Sequence, residues 1–171
     1  MRIRIFSFDN ASSDRVENRN KLATQVSGDI FIGGSSTCDN LYKILEPEED
    51  MIILEDDVQI IPDKFEYFKS KCKDMVTTGY YPPACNQEKI LYDSFTWGQC
   101  FYVPKDIGIQ FRNEYRDLVH RHYYFYKNNY QDTLLGTFLK ENRYPFLTVP
   151  KCVIHMDFQS SLGHERYDRN Y

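Results

Sequence analysis

The stretch Met51–Pro62, MIILEDDVQIIP, decides how this chain is read. Met51-Ile52-Ile53-Leu54 is a continuous apolar run, the pattern of a strand buried on both faces. It ends in three carboxylates, Glu55, Asp56 and Asp57. Clustered carboxylates repel each other and raise each other's pKa. A cation relieves that cost, and carboxylate oxygens suit a hard divalent ion, Mg²⁺ or Mn²⁺. Such an ion keeps positions open for substrate phosphates. The plainer alternative is a solvated acidic turn. Glu48-Glu49-Asp50, just upstream, is read as a surface loop of that kind.

Toward the N-terminus, Arg2–Phe8 predicts a strand, with Ile3, Ile5 and Phe8 apolar. Asp14 followed by Glu17 fits a capping pattern, with Asp in place of Ser or Thr. The helix it opens runs to about Val26 and is stopped by Gly28. Asp29–Ile32 predicts a short strand ending in Gly33-Gly34, and Asn40–Leu45 a short helix closed by Pro47. This alternation of strand and helix argues for a parallel sheet with right-handed crossovers. Ligands bind beyond the C-terminal ends of such strands, where the acidic triplet falls.

Toward the C-terminus, Asp63–Met75 predicts an amphipathic helix with Phe65, Phe68, Cys72 and Met75 on one face. Thr77–Pro83 reads as turns, and Ile90–Val103 as two short strands around Trp97-Gly98. Phe111–Tyr130 is dense in aromatic and charged residues and reads as partly helical. Asp132–Glu141 predicts a helix with Leu134, Leu135, Phe138 and Leu139 inward. Phe146–Val149 and Val153-Ile154 read as short strands, and the tail from Ser160 as loop.

The chain has 171 residues, room for one domain with a proper core. With 42% hydrophobic and 27% charged residues, its composition is globular, neither disordered nor membrane-embedded. Lys and Arg number 21 against 25 Asp and Glu, a net charge of -4. That argues against nucleic-acid binding by overall charge but leaves room for a local basic patch. No apolar run reaches the ~20 residues that span a bilayer, and Met1–Asn10 lacks the apolar core of a signal peptide. The five cysteines are odd in number, scattered and without a C-x-x-C pair. They are expected to be free thiols in a reducing, cytoplasmic setting. No G-x-x-x-x-G-K-[ST] is present, which excludes a P-loop NTPase.

In this order, the motifs resemble the glycosyltransferases of the GT-A fold. Met51–Pro62 looks like their metal-binding strand, whose motif is D-x-D with E-D-D as a common form. Asp14–Leu22 (DRVENRNKL) resembles the opening of the nucleotide-binding unit. Trp97–Pro104 (WGQCFYVP) resembles the small strand pair beside the sugar and acceptor. Gln131–Leu139 (QDTLLGTFL) resembles the helix that begins with the catalytic acidic residue of many inverting members. Pro150–Gly163 (PKCVIHMDFQSSLG) resembles the C-terminal segment whose histidine completes the metal site. Gln131 departs from the pattern, since many members carry Glu there.

The resemblance implies an α/β, Rossmann-like GT-A three-layer sandwich with a mainly parallel central sheet, the fold of nucleotide-diphospho-sugar transferases. It would occupy residues 1–171 as one minimal domain, about 1–62 forming the nucleotide-binding half and 63–171 the acceptor and catalytic half. It implies a metal-dependent hexosyl transfer from a nucleotide sugar, a UDP-sugar by expectation, to an acceptor hydroxyl. Asp57 and His155 would ligate Mn²⁺ or Mg²⁺, a nitrogen ligand favouring Mn²⁺. Glu55 and Asp56 would hold the ribose and the metal's waters. Arg15, Arg19 and Lys21 would lie near the phosphates or base. Asn40, with Asp39, would lie near the nucleobase, and Gly98 beside the sugar. Asp132 would be the general base, with a helix cap as its plainer role. Trp97 would pack on a sugar or acceptor ring, or in the core. Ser160, Ser161, Gly163 and His164 would form a loop over the phosphates.

The acceptor stays open. Arg112, Arg116, Arg121 and Lys127 are interleaved with Tyr115, His120, His122, Tyr123, Tyr124, Tyr126 and Tyr130, and the segment leads into Asp132. Basic residues among aromatics can bind phosphates while stacking on bases. A hydroxymethylated base in DNA is therefore one candidate acceptor, and a glycan or a protein side chain is another. The bland alternative is an amphipathic element that covers the core. Two rival classes remain: a metal-dependent phosphoryl-transfer enzyme, which would need a further carboxylate for a second ion, and a binding module. A zinc protein built on Cys152 and His155 has only half a site.

Overall fold

The computed structural model describes residues 1–80, 87–93 and 98–156. Trp97, Ser160, Ser161, Gly163 and His164 lie outside these residues, as does the rest of the tail. Nine strands and six helices are described. They run β1 (Arg2–Phe8), α1 (Ser13–Val26), β2 (Asp29–Gly33), α2 (Thr37–Ile44), β3 (Met51–Glu55), β4 (Val58–Ile60) and α3 (Pro62–Lys71). Then follow β5 (Val76–Thr78), β6 (Lys89–Leu91), β7 (Cys100–Val103), α4 (Lys105–Arg121), α5 (Tyr123–Lys127), α6 (Gln131–Glu141), β8 (Phe146–Thr148) and β9 (Val153–His155).

Seven strands form one mixed sheet in the order β2-β1-β3-β7-β5-β8-β6, and β4 pairs with β9 in a separate ribbon. β2, β1 and β3 are parallel, as are β5 and β8, while β7 and β6 run against their neighbours. The chain is thus α/β with a mixed central sheet, five of whose seven strands run the same way. β3 is its hub, and Met51, Ile52, Ile53 and Leu54 are each no more than 1% exposed. Four consecutive apolar residues are needed because both faces are covered. On one face Met51 and Ile53 meet Leu41 and Ile44 of α2, Phe111 and Leu118 of α4, and Phe138 of α6. On the other, Ile52 and Leu54 meet Leu22 of α1, Phe65 and Phe68 of α3, and the β4–β9 ribbon.

That arrangement follows from the strand order. The chain steps from β1 out to β2, then back across β1 to β3. Two right-handed crossovers in opposite directions put their helices on opposite faces. The step reverses between β1 and β3, so a crevice opens at their C-terminal ends.

Several local expectations need correction. α1 begins at Ser13 after the N-cap residue Ser12, so Asp14 sits in the first turn and is not the cap. Its end is turned by Ser27, in the left-handed region at φ 51°, and not by Gly28. Gly28 is needed for space: a Cβ there would stand 2.9 Å from Ile5 Cδ1. α2 starts at Thr37, three residues early, because Ser36 Oγ accepts from the Asp39 amide at 3.2 Å. α3 ends at Lys71, leaving Cys72 and Met75 beyond it. Thr77 and Thr78, read as the start of a turn segment, belong to a buried strand, Val76–Thr78, between β7 and β8. It is too short to show a period, and partners far along the chain decide its state.

Candidate functional site

Three elements converge at the C-terminal ends of β1 and β3. Phe6 of β1 pairs with Glu55 of β3, which brings Ser7 beside the acidic triplet. β7 runs antiparallel to β3, so its leading residues Gly98 and Gln99 reach the same end. The Glu55 amide donates to the Gln99 carbonyl at 3.0 Å. The β4–β9 ribbon then turns back over the site, pairing Val58 with His155. The Met156 amide fixes it by donating to the Asp57 carbonyl at 2.6 Å. Asn18 of α1 holds the turn from the other side, donating to the carbonyls of Asp56 at 2.8 Å and Val58 at 2.9 Å.

The three carboxylates have different surroundings. Asp56 is fully buried and accepts from Ser7 Oγ at 2.5 Å and from Arg15 Nε at 2.7 Å. Both its oxygens are thus held by protein. Burial raises its carboxyl above the usual range even so, against the pull of Arg15. Asp57 is also buried, and its Oδ2 lies 3.0 Å from Arg15 Nη1 and 3.4 Å from His155 Nε2. Burial alone would raise its pKa, but His155 and Arg15 outweigh that and hold it below the usual carboxylate range. Its Oδ1 is buried with no partner among the described residues. Glu55 is only partly covered by protein atoms, and Gln131 Nε2 donates to it at 3.3 Å. Desolvation first, then the Asp57 charge, push it well above its ordinary value.

Arg15 is therefore a buried cation clamped between Asp56 and Asp57, with only 7% of its side chain exposed. Arg19 sits behind it and donates from Nη1 to Ser7 Oγ at 2.9 Å. Its Nε is buried without a partner among the described residues, as is Gln99 Oε1. Three orphaned polar atoms, Asp57 Oδ1, Arg19 Nε and Gln99 Oε1, thus belong to residues gathered at this one end. A buried polar atom without a partner costs about 1–3 kcal/mol, so a polar ligand is a fitting occupant.

Asp132 joins the group. It lies in the first turn of α6, whose N-cap residue is Tyr130, so it is not the cap. A Cβ at Gly98 would stand 3.3 Å from Asp132 Cβ, and the Asp132 charge contributes to the raised pKa of Glu55. Asn40 is turned elsewhere. It is buried, its amide donates to the Gly34 carbonyl at 2.7 Å, and it fills the space a side chain at Gly33 would need. It shapes the β2–α2 turn. Asp39 is likewise engaged, accepting from Tyr115 at 2.7 Å and Tyr126 at 3.0 Å. Lys21 is exposed on α1.

No group of three or more His, Cys, Asp and Glu side chains arranged for a metal occurs among the described residues. Asp57 Oδ1 and His155 fit a different arrangement, a hard cation taking two protein ligands and the rest from water and phosphate. Cys152 does not join His155: its Sγ lies 3.6 Å from Cys100 Sγ, packed against Gly79. Cys38, Cys72, Cys100 and Cys152 are all free.

The basic and aromatic segment is divided by the fold. Arg112 packs over the Tyr42 ring, lies 3.6 Å from Glu48, and donates to the Glu46 carbonyl. Arg121 pairs with Glu141 at 2.9 Å, as does His122 at 2.6 Å. Tyr115 and Tyr126 face Asp39. Arg116, His120, Tyr123, Tyr124, Lys127 and Tyr130 are exposed.

Ser7, Asn18 and Gln99 escaped the sequence reading. Each is a single polar residue in an apolar or helical context, and only the folded register brings it to the triplet.

No helix among the described residues is long and apolar enough to cross a membrane. No protein-family model matches the chain, and no curated protein matches it by sequence. Among solved structures, the crystal structure of A197 from STIV aligns over 99% of this chain and 100% of its own, with a TM-score of 0.52 and 9% identity. At that identity the similarity is one of fold: the α/β architecture described above is shared with A197 along nearly the whole chain.

Proposed function

We propose that this chain is a metal-dependent glycosyltransferase of GT-A type, moving a hexose from a nucleotide sugar to an acceptor hydroxyl. One observation carries the reading: a buried, unpartnered carboxylate oxygen, Asp57 Oδ1, beside His155 at the C-terminal end of a buried parallel strand. This is where a ligand is expected to bind in an open α/β sheet. Asp57 and His155 would hold Mn²⁺ or Mg²⁺. That ion supplies Lewis-acid neutralisation of the charge on the departing nucleoside diphosphate.

The remaining residues have distinct tasks. Asp56 and Ser7 hold Arg15 and Arg19 in place behind the carboxylates. Arg19 Nε and Gln99 Oε1, buried without a partner among the described residues, would meet the donor's polar groups. Gly98 lets its backbone approach Asp132, since a Cβ there would stand 3.3 Å from Asp132 Cβ. Asp132 would take the proton of the acceptor hydroxyl as its oxygen bonds to the sugar's anomeric carbon and the bond to the diphosphate breaks. This requires an approach of about 3 Å. A UDP-sugar is the first donor to try. A hydroxymethylated DNA base, a glycan and a protein hydroxyl are the acceptors to compare.

The test is nucleoside diphosphate release from a panel of nucleotide sugars, with Mn²⁺ or with chelator. Mn²⁺-dependent release from one donor is expected even without acceptor, water taking its place. Absence of both release and donor binding would overturn the reading and favour phosphoryl transfer or a non-catalytic module.

A further inference from the structure

The surface of α4 and α5 carries a pattern the donor site does not use. His120–Tyr130, HRHYYFYKNNY, has no acidic residue in a chain with 25 of them. The fold turns part of this set inward, against Asp39 and Glu141, and leaves a sorted remainder outside. Arg116 and His120 are exposed one turn apart on α4, and Tyr124 and Lys127 are exposed one turn apart on α5, the two helices meeting at His122. Tyr123, Tyr124 and Tyr130 are 59%, 67% and 41% exposed. Among exposed residues from Asn113 to Tyr130, Asp117 is the one carboxylate.

Exposed tyrosines cost a folded chain solubility and gain no core packing, so a cluster of three calls for a reason. Their rings are positioned. Tyr124 lies edge-on to Phe125 and Tyr130, with centroids 5.9 and 6.3 Å apart. The turn leading to Tyr130 is fixed by Asn129, whose backbone carbonyl accepts from Thr37 Oγ1 at 2.7 Å.

We propose that this surface docks single-stranded nucleic acid, with Arg116, His120 and Lys127 meeting phosphates and Tyr123, Tyr124 and Tyr130 stacking on bases. Cations alone would suit any polyanion. Aromatic faces among them favour unpaired bases, because a duplex keeps its base faces stacked and hidden. Tyr130 stands two residues before Asp132, so a docked strand would reach the candidate site. The assignment stands on the helix surface, and its test uses neither donor nor metal. It therefore holds or fails separately from the transfer reading.

The experiment is fluorescence anisotropy of a short labelled oligodeoxynucleotide with the full chain across a salt series. The two cations, Arg116 and Lys127, predict a log–log salt slope of about -1.4. The double variant Tyr123→Ala, Tyr124→Ala should weaken binding about tenfold or more, and Tyr123→Phe, Tyr124→Phe should restore it. Lys127→Ala should reduce the slope by about 0.7. Arg112→Ala, on the inward side, should leave affinity unchanged. Absence of binding overturns the proposal. So does binding that ignores the tyrosine-to-alanine change, or that duplex or heparin matches, since either would make the surface a general anion site or a protein contact.

Discussion

An arginine flanked by two carboxylates occurs at both ends of the parallel strands, and the two trios behave differently. At the N-terminal end, Arg2 reaches Asp29 at 2.5 Å and Glu49 at 3.3 Å, with side chains 37–51% exposed. At the C-terminal end, Arg15 contacts Asp56 and lies 3.0 Å from Asp57, with side chains 0–9% exposed. Water screens the first trio, and such pairs contribute about 0–1 kcal/mol each. The second has lost its water, so every charge must be balanced by protein or ligand. The dry trio includes a buried polar atom, Asp57 Oδ1, with no partner among the described residues. Burial, and not residue type, makes one trio a surface tie and the other a candidate site.

The largest effect should come from breaking the dry trio. Asp56→Ala leaves Arg15 buried with half its compensation and should cost about 3–5 kcal/mol, read by denaturant unfolding. Glu55→Gln should do the reverse. The folded-state pKa of Glu55 is raised, so its ionised form opposes folding above the unfolded-state value of about 4.3. In metal-free buffer the variant should melt a few degrees higher at neutral pH, the gain shrinking toward pH 4. A gain that grew as pH fell would reverse the assigned sign. Arg2→Ala should change stability by under about 1 kcal/mol, less at high salt. A larger cost there would erase the contrast between the two ends.

The alternation up to β3 and the place of the acidic triplet were legible because continuous apolar runs and helix stops are local signals. β5 was not, since three residues have no period and its burial depends on β7 and β8. The site was legible in part. Asp57, His155, Asp132, Arg15 and Gly98 gather at one end of the sheet, whereas Asn40 serves the β2–α2 turn. Asp56 resembles Asp57 in sequence but is consumed by Ser7 and Arg15, a partnership created by parallel register. The basic segment was legible as composition only. Which residues face Asp39 and Glu141, and which face water, depends on packing against α2 and α6.

The central claim is that Asp57 serves a cation shared with a diphosphate. The most direct measurement is calorimetric binding of a nucleoside diphosphate to wild type and Asp57→Asn, with Mn²⁺ and with chelator. Wild type should bind only with Mn²⁺, and Asp57→Asn should lose about 10²-fold or more in affinity, the several kcal/mol a metal contact supplies, while keeping its cooperative unfolding. Binding that persists in chelator, or that Asp57→Asn retains in full, would contradict the account.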